Sequence, residues 1–321
     1  MFGLTFLSAT SKTTTHRVVP FRMKRLQDAV AGYVAGGADA LGYNNNIDKV
    51  SFPADTKTTL SATLSTAKSR QVGFANSGVA GYVAGGNDAI GRVSAIDKIA
   101  FPAETRTTIS ATLTAGNADP AGFANSGVAG YVAGGGAASS FNYIDKITFS
   151  ADTKTTLSAT LTTARAFVAG FANSGTAGYA AGGYDGAPIS GIDKVSFAAD
   201  SKTTLSATLT TARYIAAGFA NSGVAGYAAG GLDSGNISGI DKVSFAADTK
   251  TTLSATLTTG RNAASGFANS GVAGYAAGGN SGSYLSAIDK VSFTADTRTT
   301  LSATLTTARD STASFADSGT L

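Results

Sequence analysis

The stretch GFANSGVAGYVAGG, residues 73–86, decides the fold because most of the chain consists of copies of it. Further copies begin at Gly122, Gly170, Gly218 and Gly266, with only Val/Thr and Val/Ala exchanges. The tyrosine of the stretch recurs at spacings of 49, 49, 48, 48 and 48 residues, as Tyr33, Tyr82, Tyr131, Tyr179, Tyr227 and Tyr275. A repeat of this length is one supersecondary unit, which buries its apolar face only by stacking against its neighbours.

Each repeat predicts four short strands, here called a to d. In the second repeat, strand a lies around residues 73–75, and the turn Asn-Ser-Gly at 76–78 leads into strand b at 79–84. Strand c is predicted over 96–101 and strand d over 107–113. Apolar and polar residues alternate along strand d, and a period of two is typical of a strand with one buried face.

Six such units predict an all-β protein, a six-bladed β-propeller of four-stranded antiparallel blades. The motif Ile-Asp-Lys, in strand c, confirms the count of six, at Ile47, Ile96, Ile144, Ile192, Ile240 and Ile288. The first unit starts at strand b, whereas the chain ends on a strand a around residues 314–316. We therefore expect the C-terminal strand to complete the first blade and close the ring, which removes exposed strand edges.

The composition fits this fold and excludes several kinds of site. Hydrophobic residues make up 43% of the chain and charged residues 14%, which suits a large buried core. There is no cysteine, so disulfides and thiolate metal sites are impossible. No apolar run approaches the roughly 20 residues that cross a bilayer, and residues 1–7 lack the basic start of a standard secretory signal. Membrane insertion is not expected.

The positive charge is concentrated at the N-terminus. Residues 1–28 carry a net charge of +4, equal to that of the whole chain, so the repeats are neutral. The basic residues of this segment include Arg17, Arg22, Lys24 and Arg25. A nucleic-acid-binding protein should have basic residues spread over a face of its fold, and nucleic acid is therefore not an expected partner. We interpret residues 1–28 as an assembly arm and residues 29–321 as the propeller.

The residue types needed for catalysis are scarce. His16 is the only histidine, and it lies on the arm. Glu104 is the only glutamate, and it occupies a c–d turn position that is aspartate in the other repeats. We expect it to pair with a nearby basic residue such as Lys57 or Arg106, as exposed turn acids commonly do.

The aspartate of Ile-Asp-Lys recurs in all six units, which favours a hydrogen-bonding role in each blade over six active sites. Acid–base catalysis needs two acids in different environments, and metal sites need a cluster of ligands. The Gly-Gly pairs lie between strands, whereas phosphate-binding loops lead into a helix. We therefore expect no enzyme activity, no metal and no cofactor.

The repeats differ from one another mainly in two connections, b–c and d–a. The b–c loops span residues 38–46, 87–95, 136–143, 184–191, 232–239 and 280–287, and the varied d–a positions include Lys68, Arg70, Gln71, Asn117, Asp119, Phe167, Tyr214, Ile215, Asn262 and Asp310. The a–b and c–d turns barely vary. In an up-down blade the b–c and d–a connections emerge on the same face. Relaxed constraint on loops should loosen both faces, so we interpret the varied face as a binding face.

The residues predicted to form this binding face combine aromatic rings, amides and charges, a mixture that suits contacts with sugars or proteins. They are Tyr43, Asn44, Asn45, Arg92, Phe141, Tyr143, Tyr184, Asp185, Tyr214, Asn236, Arg261 and Tyr284.

The repeat resembles the kelch repeat in its strand b ending in Gly-Gly and in the arginine before the next strand a. The matching residues include Tyr82, Gly85, Gly86, Arg165 and Arg213, although the kelch tryptophan is absent from this chain. Gly-Tyr-x-x-Gly-Gly followed by Ile-Asp-Lys and Leu-Ser-Ala is similar to kelch-like repeats of bacteriophages. The resemblance covers residues 29–321.

This resemblance implies a non-enzymatic component of a phage virion, associated with the tail or tail fibre and made in the host cytoplasm. Residues 1–28 would dock on other tail, baseplate or fibre proteins, and the binding face would recognise a host surface glycan or protein. Two alternatives are a purely structural or decoration protein of the virion and a sugar-processing kelch-like propeller enzyme.

Overall fold

The structure is a computed structural model that describes residues 31–136 and 138–317, and every regular element in these residues is a β-strand. The N-terminal arm, with Arg17, Arg22, Lys24 and Arg25, lies outside the described residues, so its predicted role is carried forward only as a proposal.

Six four-stranded antiparallel sheets form the six blades. The first blade contains β1 (Ala31–Ala35), β4 (Ile47–Ser51) and β5 (Thr56–Thr59), with a small hairpin of β2 (Ala38–Asp39) and β3 (Gly42–Tyr43) in its b–c loop. The second contains β6 (Val72–Asn76), β7 (Ala80–Ala84), β8 (Ile96–Ala100) and β9 (Thr105–Thr108). The third contains β10 (Ala121–Asn125), β11 (Ala129–Ala133), β12 (Ile144–Thr148) and β13 (Thr153–Thr156).

The remaining three blades repeat this order. The fourth contains β14 (Ala169–Asn173), β15 (Ala177–Ala181), β16 (Ile192–Ser196) and β17 (Ser201–Thr204). The fifth contains β18 (Ala217–Asn221), β19 (Ala225–Ala229), β20 (Ile240–Ser244) and β21 (Lys250–Thr252). The sixth contains β22 (Ser265–Asn269), β23 (Ala273–Ala277), β24 (Ile288–Ser292) and β25 (Arg298–Thr300). The predicted six-bladed propeller is confirmed.

The last strand, β26 (Ala313–Ala316), closes the ring. It pairs antiparallel with β1, with Phe315 opposite Tyr33, and forms the innermost strand of the first blade. The first blade is thus built from both ends of the described chain, as predicted. Closing the ring in this way gives β1 a partner on both of its edges, as strand b has in the other blades.

Glycine in five of the six innermost strands lets these strands approach one another around the axis; β26 has Ser314 at this position. A Cβ atom added at Gly170 would lie 2.2 Å from the carbonyl oxygen of Gly122 in the neighbouring inner strand. The same close approach recurs at Gly218 and Gly266. A side chain here would force the blades apart, which explains why this glycine stands in every GFANSG copy.

Aromatic rings fill the space between blades. Tyr82 of the second blade is fully buried and stacks on Phe74 of its own blade at 5.4 Å and on Phe149 of the third blade at 5.1 Å. The five equivalent tyrosines are at most 2% exposed. The sequence prediction that these rings pack between blades is confirmed.

Strand d differs from its prediction. In the second blade it covers Thr105–Thr108, whereas the alternating pattern predicted residues 107–113. Its partner, strand c, begins at Ile96, and the amide of Ile109 donates to the Ile96 carbonyl at 3.0 Å as the last bond of the ladder. Beyond this point no strand is left to pair with, and the chain turns so that the Leu113 amide bonds Ser94 in the b–c loop. The alternation reflects burial of Leu113, which is 3% exposed, without strand pairing.

Candidate binding face

The b–c loops and the d–a connections lie on one face of the propeller, because they hydrogen-bond to each other. Ser69 and Asn87 exchange two backbone bonds of 2.9 and 2.8 Å, and equivalent pairs join the two connections in the other blades. The predicted clustering of repeat-to-repeat variation on one face is therefore correct. We call this side the variable face and the opposite side, made of the a–b and c–d turns, the constant face.

The turns of the constant face hold neighbouring blades together. The amide of Ser126 donates to the hydroxyl of Ser174 in the next a–b turn at 3.1 Å. The amide of Gly127 donates to the side-chain oxygen of Asn76 in the preceding turn, also at 3.1 Å. Because each Asn-Ser-Gly turn serves both neighbours, its sameness in all repeats has a structural cause.

The c–d turns make a second inter-blade contact. Asp152 of the third blade accepts a hydrogen bond of 2.8 Å from the Tyr82 hydroxyl and forms a 2.7 Å ion pair with Lys98, both in the second blade. Glu104 likewise pairs with Lys49 of the first blade at 2.5 Å. The expectation that Glu104 pairs with Lys57 or Arg106 is therefore wrong, because the turn faces the preceding blade.

The aspartate of Ile-Asp-Lys has the hydrogen-bonding role predicted for it. Asp193 is fully buried, and its carboxylate accepts bonds from the Thr162 amide at 2.9 Å, the Thr204 hydroxyl at 2.7 Å and the Arg165 guanidinium at 3.1 Å. Thr162 and Arg165 belong to the chain arriving from the preceding blade. Burial by itself raises the pKa of Asp193, but these hydrogen bonds and the charge of Arg165 outweigh it, and the pKa lies below its usual range.

This arrangement corrects one predicted binding residue. Arg261 is only 1% exposed, and it forms an ion pair of 2.7 Å with Asp289 inside the sixth blade. It is equivalent to Arg165 and is a structural residue of the core. The repeat pattern already contained this information, because arginine also occupies the same position in three other repeats.

The other predicted binding residues lie in the loops of the variable face. Tyr43, Arg92, Tyr184, Asp185 and Asn236 are exposed, whereas Asn44, Asn45, Phe141, Tyr143, Tyr214 and Tyr284 are partly buried. Phe141 and Tyr143 stack on each other at 4.8 Å. The Tyr143 hydroxyl is buried, and burial raises its pKa to about 12.

Two apolar side chains on this face were missed by sequence reasoning. Leu41 and Ile90 stand at the tips of the first two b–c loops, and each is 98% exposed. The side chain of Asp39 accepts a bond from the Leu41 amide at 2.8 Å, and Asp88 does the same for Ile90 at 2.9 Å. The repeated segment Asp-Ala-Leu/Ile-Gly could have predicted this exposure. Its aspartate and glycine favour a tight turn, which leaves the apolar residue between them at the tip of the loop.

Six residues of the d–a connections form a closed ring of backbone hydrogen bonds around the axis. The Arg70 amide donates to the Ser311 carbonyl at 2.7 Å, the Asp119 amide to Arg70 at 2.8 Å and the Phe167 amide to Asp119 at 2.7 Å. The ring continues through Ile215 and Ala263 and returns to Ser311. We call these six residues the axial ring: Arg70, Asp119, Phe167, Ile215, Ala263 and Ser311.

A cavity of about 110 Å³ lies on the axis, lined by the axial ring and by the inner strands below it. The guanidinium of Arg70 lies 3.7 Å from the carboxylate of Asp119 and 5.7 Å from the centre of the Phe167 ring. Tyr214 packs at 5.7 Å from Phe167, and Tyr184 at 5.2 Å from Tyr214. Burial raises the pKa of Asp119 to about 7, although Arg70 and Arg92 act to lower it.

Among residues 31–136 and 138–317, no three His, Cys, Asp or Glu side chains are grouped as a metal site would require. The same residues include no helix that could cross a membrane.

Comparison of the chain with protein-family models and with curated proteins found no match.

Proposed function

We propose that this protein is a non-enzymatic recognition component of a bacteriophage virion, associated with the tail or its fibres. Its variable face contacts the host surface, and residues 1–28 attach it to other virion proteins. The observation that carries the recognition function is that the varied loops of one face hold large apolar and aromatic side chains in the solvent, such as Ile90 and Tyr184. The assignment to a phage rests on the resemblance of the repeats to kelch-like phage repeats.

The constant face supports this division of roles. Its turns are tied to the neighbouring blades through Ser126, Gly127 and Asp152, so their sameness follows from the packing of the propeller. The b–c loops place exposed aromatic and apolar side chains outward, including Tyr43, Tyr184 and the 98% exposed Ile90. Exposed groups of this kind stabilise a complex more than they stabilise the free protein.

Competition for the host surface tests the proposal. Fluorescently labelled full-length protein is added to cells of the bacterium that the phage infects, and free phage is then added. We expect the protein to bind the cells and to slow phage adsorption. Protein that joins virions but neither binds cells nor competes would instead be a structural or decoration protein.

A further inference from the structure

We infer that the axial ring and the cavity beneath it form a binding site for one uncharged sugar residue, stacked against Phe167 and hydrogen-bonded by Arg70 and Asp119. This inference rests on the proposed recognition function and adds the place of the site and the class of ligand.

The backbone of the axial ring is strained at every position. All six residues have positive φ, from 52° at Ser311 to 60° at Arg70 and Asp119, although none is glycine. The left-handed conformation is unfavourable for a non-glycine residue, and β-branched Ile215, at 57°, is especially unsuited to it. The closed ring of hydrogen bonds holds the backbone in this conformation.

Stability alone would favour glycine at these positions. The same repeat uses glycine where strand b ends, as at Gly85 with a φ of 66°. In the axial ring the six repeats carry six different residues: Arg, Asp, Phe, Ile, Ala and Ser. The c–d turns also carry non-glycine residues with positive φ, such as Asp152 at 51°, and there the side chain is needed for a contact with the neighbouring blade. We therefore attribute the side chains of the axial ring to contacts with a ligand.

The side chains of the axial ring differ in size. Four consecutive positions carry the larger side chains of Arg70, Asp119, Phe167 and Ile215. The other two carry Ala263 and Ser311, whose small side chains leave that side of the ring open. The lining next to these two positions also consists of small residues, such as Ala264 and Thr312. The result is a recess with Phe167 on one side and small side chains on the other.

This combination matches the chemistry of a sugar ring. A pyranose has C–H groups on its faces that pack on an aromatic ring, and hydroxyl groups at its edge that bond to carboxylate and guanidinium groups. The Arg70 side chain is 47% exposed and the Asp119 side chain 11%, so both can be reached from the solvent. The cavity is far larger than the ~15 Å³ that one water molecule requires.

The charges around the recess favour an uncharged sugar over an acidic one. Two carboxyl groups, those of Asp119 and Asp310, lie in the surroundings of Arg70 and offset its charge. When ionised, each of them repels the carboxylate of an acidic sugar.

Glycine substitutions offer a clean test, because glycine fits the positive φ of these positions. Full-length protein is mixed with methyl glycosides of glucose, galactose, mannose, rhamnose and N-acetylglucosamine, with N-acetylneuraminic acid as the acidic sugar. Binding is followed by saturation-transfer NMR, and the melting temperature of each variant is measured in parallel. Phe167→Gly and Arg70→Met are the test variants, and Val128→Ser, at a half-exposed position on the constant face, is the control.

We expect at least one neutral glycoside to bind, and Phe167→Gly to weaken it by about tenfold or more. Val128→Ser should change the affinity less than about twofold, since it lies on the opposite face of the propeller. Failure of every neutral sugar to bind, or retention of binding in both Phe167→Gly and Arg70→Met, overturns the inference. Cell binding without sugar binding overturns it too, but leaves the proposed recognition function standing.

Discussion

Arg309, in the last d–a connection, forms a buried ion pair of 3.1 Å with Asp48 of the first blade. Together with the pairing of β26 and β1, this contact joins the two ends of the described chain. The same arginine–aspartate pair links successive blades elsewhere, as in Arg165 with Asp193. Ring closure therefore uses the same arginine–aspartate contact as the other blades whose preceding d–a connection carries an arginine at this position.

Replacement of Arg309 should weaken the contact between the first and last blades and so lower the free energy of unfolding. Arg309→Ala removes the buried partner of Asp48 and leaves only the more exposed Lys57, at 3.9 Å, beside this buried charge. Loss of one partner of a buried pair typically costs about 3–5 kcal/mol. We expect urea unfolding to show a loss of this size. Arg92→Ala removes an exposed arginine and should change stability by less than about 0.5 kcal/mol. Equal effects of the two substitutions would mean that the closing pair contributes nothing.

Two tyrosines in equivalent positions provide a matched test of the inter-blade hydrogen bond. The Tyr82 hydroxyl donates to Asp152 at 2.8 Å, whereas the Tyr227 hydroxyl is buried and has no partner in the described residues. Tyr82→Phe should therefore cost about 1 kcal/mol, and Tyr227→Phe should be neutral or slightly stabilising. Thermal unfolding of the two variants measures the difference. The same result for both would show that this bond does not stabilise the blade contact.

The buried aspartates should make the protein sensitive to acid. The pKa of Asp193 is lowered because hydrogen bonds and Arg165 outweigh its burial, and the pKa of Asp48 is lowered in the same way by Thr306, Thr59 and Arg309. A lowered pKa in the folded state stabilises the protein above the pKa of unfolded aspartate, about 3.9, and this stability is lost as the pH falls further.

We therefore expect the unfolding midpoint in urea to drop steeply below about pH 4. Asp193→Asn should lower stability at pH 7 and flatten this acid slope, whereas the exposed control Asp233→Asn should preserve both. An acid slope unchanged by Asp193→Asn would show that this carboxylate has an ordinary pKa.

Much of the fold could be predicted from the sequence, because the residues that each structural feature requires recur in the six repeats. The blade number, the closing strand and the buried tyrosines followed from spacing alone. The alternation predicts too long a strand d, because it reports burial and cannot show where the pairing strand begins. The sequence does not reveal the partner of Glu104, because that lysine lies on the neighbouring blade, 55 residues earlier.

The candidate site was only partly accessible to sequence reasoning. The sequence predicts the face correctly, because in an antiparallel blade alternate connections emerge on the same face. Arg70, Asp119, Phe167 and Ile215 were noted as varied positions, but nothing in their spacing reveals a hydrogen-bonded ring. Ala263 and Ser311 were passed over because small residues carry no chemical signal, although they open the recess.

The arm and the propeller should be separable. A chain lacking residues 1–28 retains every described strand, so we expect it to fold and melt like the full chain. It should fail to join the virion, and salt should weaken attachment of the intact arm if its basic groups pair with acidic partners. Circular dichroism and particle incorporation measure the two properties. A truncated chain that still joins virions would place the attachment site on the propeller.

The central claim, that the variable face performs recognition, is tested most directly by comparing the two faces for binding of the labelled protein to host cells. One variant combines Tyr184→Ser, Tyr214→Ser and Tyr284→Ser on the variable face. Its control combines Val79→Ser, Val128→Ser and Val272→Ser, which are about half exposed on the constant face. We predict that the tyrosine variant loses most cell binding while the valine variant binds like the unmodified protein. Loss of binding in the valine variant alone would contradict the account and assign recognition to the constant face.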